Sequence, residues 1–375
     1  MITLEEEKKV ATISLCMIVR DEESVLRRCL SSAASIADEI IVVDTGSVDQ
    51  TRKIALEYTQ KVYPYDWTDD FSAARNFSFS KAEMEYCFWL DADDVLTPEN
   101  QDKFSRLKET LSPDVDVVMM PYHTAFDSSG KPTFSYYRER LVRNCPAYRW
   151  KGKVHEAIVP CGKVIYSDIA VEHHKIKPAD PDRNMKIYQN QLSHGETLTP
   201  REQFYYGREL YYHGEYMEAI QVFTTFLKEG EGWIENNLEA CRQLSDCYRA
   251  LGQKQQALTA LLRAMEYDIP RGELCCDIGK WFFEQERWRQ AAFWYETALH
   301  TPRNDTSGGF VEAQCYGYLP AIQLCVCYDR MKEYQKAEEY NTLAGHFQPD
   351  SEAYLRNLSY FALRNKGGEN PHALS

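Results

Sequence analysis

The stretch FWLDADD, residues 88–94, joins an apolar run to three carboxylates within four positions. The run YCFWL that leads into it has the length and composition of a buried strand. Two carboxylates one residue apart repel each other at a strand end unless a cation lies between them. Asp91 and Asp93 therefore point to a hard divalent ion such as Mn²⁺ or Mg²⁺. For Asp94, capping of the helix that follows in LTPEN is an equally good interpretation.

Apolar runs and helical patterns alternate through the first half of the chain. Runs such as ISLCMIV (13–19) and EIIVVD (39–44) have the unbroken apolar character of buried parallel strands. Their alternation with helices predicts an open, mostly parallel α/β sheet with helices on both faces. Ligands of such sheets bind beyond the carboxyl ends of the strands, where RDEE, DTGSVDQT and DADD all lie. Further strands are predicted in KVYPY, DVVMMPY and RERLVR and around HEAIVP, and helices in ESVLRRCLSSAASI, RKIALEY and FSAARNFSFSKA (71–82).

Composition excludes several classes of protein. The formal net charge of −14 leaves no basic stripe for nucleic-acid phosphates or anionic lipid. No apolar run approaches the ~20 residues that span a bilayer. The twelve cysteines show no paired CxxC framework, which predicts reduced thiols and a cytoplasmic protein.

The second half of the chain contains a helical repeat. Four similar segments align on Ala219, Ala257, Ala291 and Ala337, at spacings of 38, 34 and 46 residues. These spacings are close to the tetratricopeptide period of about 34 residues. Such repeats stack on their neighbours and form a curved surface for peptides or protein partners. An irregular helical bundle is the alternative.

These patterns divide the chain at the Pro-rich and charged stretch KIKPADPDRN. We expect an α/β domain over residues 1–180 and a linker helix within 181–200, starting near Asp182. The repeats then occupy 201–365, and a flexible tail covers 366–375.

Five motifs together resemble a known family. SLCMIVRDEE, IIVVDTGSVDQT, DWTDDFSAARNFSFSKA, FWLDADD and WKGKVHEAI occur in the order found in family 2 glycosyltransferases, over roughly residues 12 to 185. More narrowly, the chain resembles the bacterial branch with C-terminal tetratricopeptide repeats, which includes glycosyltransferases that modify bacteriocin peptides. The resemblance implies the GT-A nucleotide-sugar-binding fold and transfer of a hexosyl or N-acetylhexosaminyl group. The chain departs from the family at Asp21, where Asn is usual, and at Lys175 and Ile176, which replace the Gly and Tyr of an H-x-GY segment.

The resemblance also implies a site for the nucleotide-sugar, expected to be a UDP-sugar. Asp44 would accept a hydrogen bond from a base N–H, and Glu22 would contact the nucleoside. Asp91 would lie near the ribose or the metal, and Arg75 would bind the diphosphate or fix its own loop. The implied donor-binding set is Val19, Glu22, Asp44, Thr45, Gly46, Ser47, Arg75, Asn76, Asp91 and Ala92.

Catalysis in this scheme requires a metal and a base. Asp93 would bind the ion directly, and either His173 or His174 would complete its ligands. Glu156 is the candidate base for the attacking hydroxyl, with an ion pair to a nearby arginine such as Arg149 as the alternative. A single displacement would invert the anomeric centre.

The acceptor is expected to be a Ser, Thr or Cys side chain of a peptide or protein held by the repeats. Candidate acceptor-contacting residues are His155, Trp150, Tyr205 and Tyr212. A carbohydrate or envelope glycan acceptor remains open, as does a non-catalytic scaffold. A homodimer formed through the repeats is also left open.

Overall fold

A computed structural model describes residues 10–127, 130–176 and 180–365 of the chain. It divides the protein into two compact units, Met1–Leu198 and Thr199–Ser375. The helix expected as a linker lies in the first unit. The tail expected at 366–375 lies outside the described residues.

The described residues of the first unit form one mixed sheet of nine strands. Its strand order is β3-β2-β1-β4-β7-β6-β9-β5, with β8 beside β6. Five of the eight pairings are parallel, which agrees with the predicted mostly parallel sheet. The strands are β1 (Ile13–Val19), β2 (Glu39–Asp44), β3 (Val62–Pro64), β4 (Tyr86–Trp89), β5 (Asp94–Val95), β6 (Val117–Phe126), β7 (Pro132–Arg143), β8 (Val164–Tyr166) and β9 (Val171–His173).

Helices cover both faces of this sheet because the buried strands are apolar on both sides. In β1, Leu15 and Met17 pack into one apolar layer with Leu30 and Phe104, whereas Cys16 packs into the opposite layer. This alternation is the period of two expected for a strand. The helices of this unit are α1 (Leu26–Ala33), α2 (Thr51–Leu56), α3 (Phe71–Phe79), α4 (Pro98–Thr110) and α5 (Arg183–Ser193).

The end of the sheet differs from the sequence-based prediction. The prediction of a strand around HEAIVP is wrong, because that region contributes only an isolated bridge between Lys151 and Ala157. The strands that complete the sheet are instead β8 and β9, which run parallel to β6. Each is three residues long, too short for a periodic pattern to be visible.

The second unit consists of helix pairs followed by one more helix. In every pair, the aligned alanine is the fourth residue of the second helix and is fully buried. A small residue at this position lets two helices approach closely, so the unit is a tetratricopeptide-like repeat and not an irregular bundle. The helices are α6 (Pro200–Tyr212), α7 (Tyr216–Glu229), α8 (Ile234–Ala250), α9 (Lys254–Arg263), α10 (Gly272–Glu284), α11 (Trp288–His300), α12 (Tyr318–Arg330), α13 (Tyr334–Phe347) and α14 (Glu352–Asn365).

The turns within the pairs also share one geometry. The residue two positions before each second helix has a positive φ: Gly214 (77°), Gly252 (73°), Glu286 (56°) and Lys332 (64°). Glycine suits this left-handed conformation, whereas Glu and Lys adopt it at a cost. A common backbone therefore persists although the sequence at this position does not.

All twelve cysteines are free thiols, as the sequence predicts. Among the residues that the structure describes, no helix has the length and apolar character required to cross a membrane.

Candidate metal and donor site

The acidic residues of FWLDADD separate into different environments. Asp94 is fully buried, and its carboxylate accepts hydrogen bonds from Arg140 Nη1 (2.8 Å) and the Tyr122 hydroxyl (2.9 Å). A buried carboxylate requires such partners because desolvation is costly. The alternative of Asp94 as a helix cap is wrong, since Thr97 caps α4 by accepting from the Asn100 N–H.

Asp93 lies beside His173 because β5 and β9 pair with Asp94 opposite His173. His173 Nδ1 lies 3.3 Å from Asp93 Oδ1, 3.3 Å from Asp94 Oδ1 and 2.8 Å from the Tyr122 hydroxyl oxygen. Burial lowers the pKa of His173, but the two carboxylates outweigh it and raise that pKa to about 10.

The donor atoms of this cluster suit a divalent ion. Asp93, Asp94 and His173 are the group of potential metal ligands in the described part of the chain, with ligand atoms within 4.8 Å of one another. Two carboxylate oxygens and one imidazole nitrogen are acceptable to Mn²⁺ or Mg²⁺. The side chains of Asp93 (20% exposed) and His173 (24%) are accessible, whereas Asp94 supports them from beneath.

Two other predicted ligands lie elsewhere. His174 Nε2 pairs with Glu172 at 2.8 Å, and its ring stacks on Phe126 at a centroid distance of 5.1 Å. Asp91 lies outside the cluster and faces Arg75. Of the two adjacent histidines, His173 is therefore the one beside Asp93.

Arg75 links two of the predicted functional carboxylates. Its Nη2 donates to Asp91 Oδ1 (2.7 Å) and its Nε to Glu156 Oε1 (2.6 Å), across 81 residues in the second case. Burial opposes both charges, but the attraction raises the pKa of Arg75 and holds that of Asp91 well below its usual range. The alternative interpretation of Glu156, an ion pair with a nearby arginine, is thus confirmed, but the partner is Arg75 and not Arg149, whose guanidinium donates to backbone carbonyls.

Aromatic rings and an amide fix this arginine from below. The Arg75 guanidinium lies 4.7 Å from the Trp150 ring centroid and 5.2 Å from that of Trp89. Asn76 holds Trp150 by hydrogen bonds to both its N–H and its carbonyl (2.9 and 3.0 Å). Asn76 and the buried Trp150 thus support the site. His155, which precedes Glu156 in the chain, has a φ of 52° and a hydrogen bond with Asn184 at 3.4 Å.

The predicted nucleoside-binding residues lie at the neighbouring ends of β1 and β2. Asp44 pairs with Val19 in register, and its carboxylate accepts from the Ser47 N–H at 2.9 Å. The Thr45 N–H donates to the Val19 carbonyl at 3.0 Å. Gly46 has a φ of 102° with open space where a Cβ would be, so the turn leaves room for a ligand.

Glu22 and Ala92 belong to the same edge of the sheet. The Glu22 N–H donates to Thr51 Oγ1 at 2.6 Å, which ties the end of β1 to the start of α2. Ala92 is buried between Asp91 and Asp93. Because β1 pairs with both β2 and β4, the three polar clusters are neighbours in space.

Sequence reasoning missed three residues that hold the cluster. Arg140 and Tyr122 contact Asp94 from β7 and β6, and Arg28 donates to the His174 carbonyl at 2.8 Å. Arg140 had one detectable signal, since RERLVR alternates cations with other residues in a predicted strand. Tyr122 and Arg28 carried none.

The two tyrosines proposed as acceptor contacts lie on α6 in the second unit. Tyr205 is largely buried, whereas Tyr212 is 61% exposed and accepts from Arg208 Nη2 at 2.8 Å. Their acceptor role stays a prediction.

Comparison with known proteins bears on the family of the first unit. Residues 14–163 match the family model described as Glycosyl transferase family 2. Over these residues the first unit is similar to family 2 glycosyltransferases. This match includes Asp44, Asp91 and Asp93 and extends past Glu156. The sheet with helices on both faces is the GT-A fold that the resemblance predicts.

Three curated relatives extend the comparison. A TPR repeat-containing protein of Synechococcus elongatus is 39% identical over 40% of this chain and 36% of its own length. The SPbeta prophage-derived glycosyltransferase SunS of Bacillus subtilis is 28% identical over 73% of this chain and 66% of its own. The lipopolysaccharide core biosynthesis glycosyltransferase LpsC of Rhizobium meliloti is 29% identical over 40% of this chain and 58% of its own. The chain thus spans less than two thirds of the length of each.

Proposed function

We propose that this protein is a metal-dependent, inverting glycosyltransferase that moves a sugar from a UDP-sugar to a peptide or protein side chain. One observation carries the proposal: the Asp93–His173 pair lies at the same sheet edge as the Arg75 bridge between Asp91 and Glu156. This proximity, where parallel strands end, supports Asp93 and His173 as ligands of a divalent ion and Glu156 as the base.

Asp93 and His173 would hold the ion, supported by Asp94 and Tyr122. The ion would neutralise the charge that develops on the departing nucleotide diphosphate. Asp44 and Glu22 would select the nucleoside at the ends of β1 and β2.

Glu156 would remove the proton from the attacking hydroxyl, and its hydrogen bond from Arg75 orients the carboxylate. The same guanidinium holds Asp91, so one buried cation sets the positions of two functional groups. Attack on the face opposite the leaving nucleotide inverts the anomeric carbon. A thiol acceptor would need the base less, because its pKa is lower.

The repeats support a peptide or protein as the acceptor, since stacked helix pairs present an extended surface. The relative SunS, whose alignment covers 73% of this chain at 28% identity, also bears the name of a glycosyltransferase. LpsC, named for lipopolysaccharide core biosynthesis, favours a glycan acceptor as the second candidate. A non-catalytic scaffold is the third, and the retained carboxylates weigh against it.

The proposal is tested by calorimetric titration with UDP, with and without Mn²⁺. We expect binding that depends on Mn²⁺ and that Asp93→Ala weakens at least about 100-fold. His174→Ala is the matched control, because the neighbouring imidazole pairs with Glu172 and should leave binding unchanged.

Absence of UDP binding in either condition would refute the UDP donor. UDP binding that is unaffected by Mn²⁺ and by the Asp93→Ala substitution would refute the metal site but not the nucleotide site.

A further inference from the structure

The longest connection between described helices of the second unit joins α11 to α12. It covers residues 301–317 and accounts for the 46-residue spacing between Ala291 and Ala337, against 38 and 34 elsewhere. Its second part, residues 308–316, does not loop away from the repeats. It packs against the first helices of three preceding pairs, and we name it the inserted segment.

Two side chains of the inserted segment contact arginines of earlier repeats. Phe310 lies with its ring centroid 4.6 Å from the Arg208 guanidinium on α6. Glu312 Oε1 accepts from Arg242 Nη2 on α8 at 2.8 Å. Arg208 and Arg242 each lie on the first helix of a helix pair, so both contacts fall on one face of the stacked repeats.

The backbone and the end of the inserted segment are held by α10. The Glu312 N–H donates to Glu273 Oε1 at 2.9 Å, and the Tyr316 hydroxyl donates to Glu273 Oε2 at 2.6 Å. One carboxylate therefore captures a main-chain amide, as a repeat protein does with an extended ligand.

Close approach to α8 explains the two glycines that precede Phe310. A Cβ on Gly308 would lie 2.9 Å from the Trp233 ring, and one on Gly309 would lie 2.0 Å from Glu235 Oε2. No side chain fits at Gly309 unless Glu235 moves. The backbone of the inserted segment is thus seated directly on the helix.

These contacts differ from those that hold the repeats together. Arg242 pairs with Asp277, and Arg249 with Glu284, in both cases 35 residues apart and between adjacent repeats. The Arg242–Glu312 pair spans 70 residues and reaches beyond the adjacent repeat. The inserted segment is therefore bound by the first helices in the way that a separate peptide would be.

We propose that the face formed by Arg208, Arg242 and Glu273 is a peptide-binding surface that the inserted segment occupies in the free protein. Its partner is an extended peptide with an aromatic residue two positions before a carboxylate, the pattern of Phe310 and Glu312. The partner displaces the inserted segment and takes over its contacts. The peptide-binding surface is independent of the proposed function, whereas the identification of its partner as the acceptor of the sugar rests on that function.

The chemistry of the face explains this preference. The aromatic ring lies over the Arg208 guanidinium, and the carboxylate accepts from Arg242 Nη2. The other two nitrogens of Arg242 donate to Glu239 and Asp277 and so fix the guanidinium. Glu273 requires a free backbone N–H, which excludes proline at the acidic position.

The test is fluorescence anisotropy of a labelled GGFVEAQ peptide with the full chain, which involves no sugar transfer. In Phe310→Ala/Glu312→Gln the competing segment is weakened, and we expect at least about tenfold tighter peptide binding than in the unmodified protein. A peptide with Phe→Ala and Glu→Gln is the matched control and should bind neither protein. Adding Arg208→Ala to the double variant should remove the gain.

Trypsin cleavage at the exposed Arg303 reports whether the inserted segment has been released. Faster cleavage without tighter peptide binding would overturn the proposal and make the insertion a purely structural element. Unchanged cleavage and unchanged binding would show that these two side chains do not hold the segment, which overturns it equally. Glu312→Gln alone, which retains the shape of the side chain, provides the same readouts if the double variant does not fold.

Discussion

The two units use arginines in opposite ways. In the first unit, Arg75 reaches Glu156 across 81 residues while also holding Asp91, and Arg140 on β7 reaches Asp94 across 46. In the second, Arg242 and Arg249 reach partners 35 residues away, one repeat further along. Repeats are thus held by contacts that recur along the chain, whereas the candidate site exists only when distant strands meet.

This comparison teaches where function and stability can be separated. Contacts between adjacent repeats are numerous and similar, so the loss of one is felt by its neighbours. The site has no such redundancy, since the single guanidinium of Arg75 holds both Asp91 and Glu156. The inserted segment is the exception in the second unit, because its contacts are as distant as those of the site.

The largest expected effect is on catalysis. Glu156→Gln should lower turnover of UDP-sugars, followed as UDP release, about 10²- to 10⁴-fold, because the amide cannot accept the proton. Mn²⁺-dependent UDP binding should be unchanged. Glu172→Gln, which alters a carboxylate that pairs with His174, is the control. Equal turnover in the Glu156 variant and the unmodified protein would assign Glu156 a structural role with Arg75.

The next effect is on the stability of the first unit. Arg140→Met leaves Asp94 buried without its cation and should destabilise this unit by about 3–5 kcal/mol. Hydrogen exchange of peptides from β4 and β7 measures this without interference from the repeats. Arg27→Met removes an exposed pair with Glu57 and should leave exchange unchanged. Similar exchange in both variants would contradict the role given to Arg140.

A smaller and more local effect is expected in the repeats. Ala291→Leu forces a larger side chain into a fully buried helix crossing and should cost about 1–3 kcal/mol. Hydrogen exchange should rise in α10, α11 and α12, with little change in the first unit. Ala250→Leu, at an exposed position ending α8, is the control. A uniform rise through the whole chain would break the distinction between the two units.

The smallest effect is a gain in stability. Glu286→Gly and Lys332→Gly each place glycine at a positive φ and should stabilise their helix pair by about 0.5–1 kcal/mol. Glu333→Gly, next to Lys332 but at φ −90°, should not stabilise it. Thermal unfolding of the three variants distinguishes these outcomes, and a lower midpoint for both of the first two would refute a common turn.

Much of the fold was accessible from the sequence because its signals are local. The long apolar strands, the helix pairs and the aligned alanines follow from side-chain periods of two and 3.6 and from the repeat spacing. The three-residue strands β8 and β9 were missed, since such short segments are defined by their neighbour β6. The left-handed residue two positions before each second helix could not be predicted either where it is Glu or Lys and not glycine.

By itself, the sequence determined the residue types and the edge of the sheet at which they gather: carboxylates after strands, a histidine pair near the end of the domain, and an arginine within a helix. Only the tertiary structure decided the partners. It placed His173, and not His174, beside Asp93, gave Glu156 to Arg75 instead of Arg149, and buried Asp94 against Arg140. The physical reason is that an ion pair depends on which strands become neighbours and on how far each is withdrawn from water, and neither is written in local spacing.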